Sequence, residues 1–109
     1  MSDPLRAAAA LGLRVVVEEF GAAARSIAAE YDPRARAIRV SARLLAAPGD
    51  AGGVLAACVA HEIYHHLEFL GRVPRAGSAR EREARADAYA RRSFALSVDP
   101  ADVRAALAP

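Results

Sequence analysis

The chain has 109 residues, which leaves room for one domain with a modest core, because much of the 54% hydrophobic fraction is alanine and buries little area. The formal charge is +2, and all 15 basic residues are arginines scattered along the chain, so the concentrated basic face that nucleic acid requires is missing. Cys58 is the only cysteine, which excludes a disulfide framework and suits a reducing compartment.

Ser2 and Pro4 resemble a cap and first turn for a helix running to about Leu11, with Gly12 ending it. The alanine run inside it is followed too soon by Arg14, Glu18 and Glu19 for a secretory leader. No stretch is long enough to span a membrane. The expectation is a cytoplasmic protein with neither membrane nor nucleic acid as a partner.

Leu13 to Phe20 is rich in valine and reads as a strand. Ser26 to Tyr31 and Ala37 to Ser41 read as two more, the turn between them marked by Asp32-Pro33. Pro48 to Gly53 reads as a loop, followed by a long helix from about Val54 to Leu70 that Gly71 terminates. Ser78 with Glu81 forms a capping-box pattern that opens a further helix to about Leu96, and Asp99-Pro100 starts a last short one. Strands followed by helices predict an α+β fold: a small antiparallel sheet of about three strands packed on two long helices, in one domain over residues 1–109.

His61 and His65 stand four apart in the first long helix, so their imidazoles leave one face a turn apart, as two ligands of one zinc ion must. Glu62 flanks that face, where it can accept a proton from water rather than bind the metal. Two surface histidines on an amphipathic helix would share this spacing, so the third ligand decides between the readings. Glu68, Glu81, Glu83, Asp87 and Asp99 are the carboxylates to weigh.

On the second long helix Glu83 and Asp87 share an apolar stripe with Ala86, Ala90 and Phe94. Glu81 points away with Arg85 and Arg92. Two acids on a core-facing stripe are costly without partners, and a zinc ion together with the ring N–H of a ligating histidine would supply them. Glu68, one turn after His65, is the runner-up as ligand or else a polar group at the rim of the cleft. Asp99 is explained as a helix cap. His66 points about 100° away from His65 and is expected outside the site. Cys58 is expected to be a small core residue. Tyr31, Tyr64 and Tyr89 each remain open as donors to a developing oxyanion or as packing residues.

The segment His61-Glu62-Ile63-Tyr64-His65, followed by Glu83-Ala84-Arg85-Ala86-Asp87-Ala88-Tyr89-Ala90, resembles the HExxH…ExxxD pattern of the gluzincin metallopeptidases. Within that clan it looks most like the ImmA/IrrE-type peptidases and the very short minigluzincins, over about residues 37 to 96. The resemblance implies that His61, His65 and Glu83 bind Zn2+, that Glu62 is the general base and acid, and that Asp87 orients His61. It also implies that Ala37 to Ser41 is a sheet-edge strand able to hold an extended peptide.

The metzincin pattern would place glycine at 68 and histidine at 71, where Glu68 and Gly71 stand. The DNA-binding or sensor domain common among ImmA/IrrE-type proteins has no room here, and the oxyanion-stabilising residue of larger gluzincins has no match. The expected function is a zinc-dependent endopeptidase acting on a protein or peptide. The alternative is a catalytically latent or non-enzymatic zinc module on the same fold, with Pro100 to Leu107 as a segment that could cover the cleft.

Overall fold

A computed structural model describes residues 3–107. Helix α1 spans Pro4–Ala10 and strand β1 Arg14–Glu18, and a 3-10 turn follows at Gly21–Arg25. Next come β2 Ala29–Asp32, β3 Ala37–Ser41, α2 Ala42–Ala46, α3 Ala51–Phe69, α4 Ala79–Ser93 and α5 Pro100–Leu107. The α+β class is as expected. Ser2 lies outside the described residues; the cap of α1 is Asp3, whose Oδ1 accepts from the Leu5 amide at 2.9 Å.

The sheet order is β1-β3-β2, with β2 antiparallel to β3 but β1 parallel to it, so the sheet is mixed rather than antiparallel. The Asp32 carboxylate folds the four residues between β2 and β3 into a tight turn by accepting from the Arg34 and Ala35 amides at 3.0 and 3.2 Å. The longer connection after β1, with its 3-10 turn, carries the chain across to β2, so β1 and β2 flank β3 on opposite sides.

Ala37–Ser41 is therefore the central strand, not the edge strand that the resemblance implied. Ala37, Ile38, Val40 and Ser41 are all at most 1% exposed. The edge strand beside the long helix is β2.

Helix α3 is the centre of the molecule, packed against the sheet and against α1, α4 and α5. Asp50 caps it by accepting from the Gly53 amide at 2.8 Å, which draws Gly52 and Gly53 into a first turn that their low helix propensity assigns to a loop. At its other end Gly71 takes φ +74°, and the Arg72 amide donates to the Leu67 carbonyl at 2.9 Å, closing the helix as predicted. The capping box is present on α4, with Ser78 and Glu81 bonding each other's backbone at 3.1 Å. That helix stops at Ser93, before the predicted Leu96, because Phe94 turns extended and inserts into the core. Helix α2 follows directly on β3, capped by Ser41, and has no expectation to match it.

Candidate metal centre

Helices α3 and α4 lie side by side, and their facing surfaces carry the polar residues singled out by the sequence. Nε2 of His61 and Nε2 of His65 are 3.3 Å apart. Glu83 reaches in from α4, its Oε2 3.0 Å from His61 Nε2 and its Oε1 2.9 Å from His65 Nε2. These three side chains form the one group among the described residues that could hold a metal ion. One donor atom from each residue lies within 4.8 Å of the other two, close enough for one ion to reach all three, and two imidazoles with one carboxylate are a donor set that a divalent transition metal accepts.

The other ring nitrogens are held from behind. Asp87 Oδ1 is 2.7 Å from His61 Nδ1, and the Arg104 guanidinium of α5 clasps Asp87 at 2.8 and 2.5 Å. Glu68 Oε1 is 2.8 Å from His65 Nδ1, and Arg82 clasps Glu68 at 2.9 and 3.1 Å. Glu68 thus faces the back of the His65 ring, away from the donor triangle, which leaves Glu83 as the third converging group. Glu62 is 6% exposed, and its Oε2 lies 3.8 Å from His61 Nε2.

Electrostatics follow from these contacts. Burial alone would depress the His61 pKa, but the hydrogen bonds with Asp87 and Glu83 raise it to about 9. Hydrogen bonds from His61 and His65 hold Glu83 far below the usual carboxylate range. Burial pushes Asp87 upward, yet Arg104 and His61 together bring it to about 2. Glu62 moves the other way, raised mainly by burial. Four carboxylates (Glu62, Glu68, Glu83 and Asp87) face two guanidinium groups (Arg82 and Arg104), leaving two negative charges for histidine protons or a divalent cation to balance.

Comparison with protein-family profiles, with curated proteins and with solved structures finds no match for this chain. The metal-centre reading therefore rests on its own geometry.

A cavity of about 460 Å³ opens on the His65 side, lined by Ile27, Tyr31, Glu62, Phe69 and Glu83 among others. A cavity of about 50 Å³ lies on the His61 side, where Pro100, Val103 and Arg104 of α5 approach Glu62. Helix α5 thus borders the narrow side of the centre and leaves the broad side open.

The remaining candidates take other places. Glu81 is spent on the cap of α4, with Arg85 at 3.9 Å. Asp99 caps α5 through the Ala101 amide at 2.9 Å and pairs with Arg91. His66 is buried and bonds the Tyr31 hydroxyl through Nδ1 at 2.6 Å, so that hydroxyl is engaged away from the donor triangle. Tyr64 packs against Tyr89. Cys58 is buried in the core, where desolvation pushes its thiol up to about 12.

Sequence reasoning did not single out Arg82 or Arg104. Glu68 had a readable signal, since a carboxylate three residues after His65 can reach its ring. Arg104 had none, being 17 residues beyond Asp87 on another helix.

Proposed function

We propose that this chain is a zinc-dependent endopeptidase acting on a protein or peptide substrate. The observation that carries the reading is the convergence of His61, His65 and Glu83 on one point with the Glu62 carboxylate beside it. When bound, zinc would act as a Lewis acid on the scissile carbonyl and make nearby water acidic enough to attack at neutral pH. The two histidines and Glu83 would supply three donors and leave one position open, as catalytic rather than structural zinc sites do.

Glu62 would accept the proton of the attacking water at a carboxylate oxygen and pass it to the departing amine. Its burial suits that double duty, because a raised pKa lets a carboxyl group return the proton it has taken. The free edge of β2 would hold the substrate in extended form. Ser41 donates its amide to the Ala28 carbonyl, so by strand alternation Ala29 and Tyr31 direct their backbone groups outward along the broad cavity.

Zinc is favoured over harder cations because two of the three donors are imidazole nitrogens. No helix among the described residues is long and apolar enough to cross a membrane. A reducing, cytoplasmic setting is proposed from the single buried thiol. One observation favours a latent zinc module as the second reading: α5 lies against the His61 side of the centre.

Metal analysis of the purified protein, alongside hydrolysis of an unfolded protein substrate, tests these readings. One zinc per chain with hydrolysis supports the enzyme, zinc without hydrolysis supports the latent module, and absence of zinc contradicts both.

A further inference from the structure

We propose that Glu68, clamped by Arg82, is a positioning residue that fixes the His65 ring for metal binding. The inference rests on the metal-centre reading above. Glu68 follows His65 by three residues on α3, which brings its carboxylate onto the same face. Its side chain is 1% exposed, and its carboxylate bonds His65 and Arg82. Oε1 accepts from His65 Nδ1 at 2.8 Å and from Arg82 Nη2 at 2.9 Å, while Oε2 accepts from Arg82 Nε at 3.1 Å.

A buried carboxylate without partners would be expensive, so its retention at this place needs an explanation. The explanation lies in the ring it holds. The second side-chain torsion of histidine is broad, and a flip would turn Nε2 away from Glu83. A hydrogen bond from Nδ1–H to Glu68 selects the orientation and the tautomer in which Nε2 carries its lone pair towards the other donors.

Arg82 completes the device because it precedes Glu83 directly in α4. The same helix turn therefore delivers the third ligand and the clamp on the second histidine. This arrangement parallels Arg104, Asp87 and His61 on the other side of the centre, yet it draws on different residues and a different helix.

Zinc affinity by competition with a chromophoric chelator, and the absorption spectrum of the cobalt-loaded protein, test the inference. The proteins compared are the parent, Glu68→Ala, Glu68→Gln, Arg82→Ala, Glu83→Ala as the reference for a lost ligand, and the exposed control Arg92→Ala. Glu68→Ala should weaken zinc binding by about 10- to 100-fold, and Glu68→Gln, which keeps an acceptor oxygen on His65, should remain within about tenfold of the parent. Arg82→Ala should fall between them and Arg92→Ala should match the parent. Cobalt bands should shift in position in Glu68→Ala while keeping the intensity of an unchanged ligand number.

Parent-like affinity in both Glu68→Ala and Arg82→Ala would overturn the proposal. So would loss of metal in Glu68→Gln as complete as in Glu83→Ala, since Glu68 would then be a ligand. If Glu68→Ala fails to fold, Glu68→Gln and Arg82→Ala decide the matter by the same criteria. A parent that binds neither zinc nor cobalt defeats the metal-centre reading itself, a failure visible before any variant is compared.

Discussion

His61 and Asp87 sit on different helices, 26 residues apart, yet Nδ1 of one lies 2.7 Å from Oδ1 of the other. The contact leaves His61 Nε2 facing Glu83, so neighbouring residues on α4 serve the two nitrogens of one ring. Zinc affinity should therefore fall in the order Glu81→Ala, Asp87→Asn, Glu83→Ala. Glu81→Ala removes only part of a helix cap and should bind as the parent does. Asp87→Asn loses the partner behind the ring and should bind about 10- to 100-fold more weakly. Glu83→Ala loses a proposed ligand and should release most of its zinc at low micromolar concentration. Calorimetric or competition titration checks the order, and tight binding by Glu83→Ala would remove it from the site.

Arg104→Ala should act on the centre from α5. The substitution strips the bidentate partner from Asp87, whose side chain is 4% exposed, and leaves a buried carboxylate held by His61 alone. Breaking a fully buried pair costs about 3–5 kcal/mol, but the Arg104 side chain is 41% exposed, so about 1–2 kcal/mol is expected here. Urea unfolding of the metal-stripped protein measures this, and an unchanged midpoint would show that solvent already screens the pair.

The folded charge network makes a statement about pH. His61 is raised from 6.5 to about 9, so its stabilising contribution is complete below about pH 6.5 and is lost as pH rises through about 9. Asp87 is lowered from 3.8 to about 2, so its contribution is present above 3.8 and is lost as pH falls through about 2. Thermal unfolding of the metal-stripped protein should show greatest stability between these limits and a decline from pH 6.5 to 9. Zinc at the proposed centre would compete with protons for His61 Nε2, so the loaded protein should keep its stability through the alkaline range. A stripped protein that gains stability from pH 6.5 to 9 would contradict the network.

Much of this arrangement was legible before folding. HExxH spacing placed His61 and His65 on one helix face with Glu62 on its flank, and the apolar stripe around Ala86 and Ala90 marked Glu83 and Asp87 as acids in need of partners. Helix ends were legible where chemistry is local, as at Ser78 with Glu81 and at Gly71. What escaped was set by tertiary contacts. Nothing within Arg14–Glu18 distinguishes parallel from antiparallel pairing, because that depends on where the segment before β2 crosses. The centrality of β3 follows from the same crossing. Gly52 and Gly53 entered a helix against their propensity because Asp50 caps it, and Arg104 reaches Asp87 only once α5 has packed on α3 and α4.

The correction to the sheet carries its own test. With β2 as the free edge, Ala29 directs its amide outward, so Ala29→Pro should be tolerated by the fold as edge-strand prolines are. Circular dichroism and zinc content should stay at parental values. Peptide hydrolysis should fall by about 2- to 10-fold, chiefly through KM, since one backbone hydrogen bond to the substrate is lost. Unchanged KM would remove β2 from substrate binding.

Under the proposed function, Glu62 moves the proton at a zinc centre that it does not ligate. The most direct measurement is the rate at which an unfolded protein is hydrolysed, per bound zinc, by the parent and by Glu62→Gln. Zinc content should be equal in the two proteins, with at least about a 100-fold loss of hydrolysis in the variant. Equal rates in the two proteins, or loss of zinc in Glu62→Gln, would contradict it.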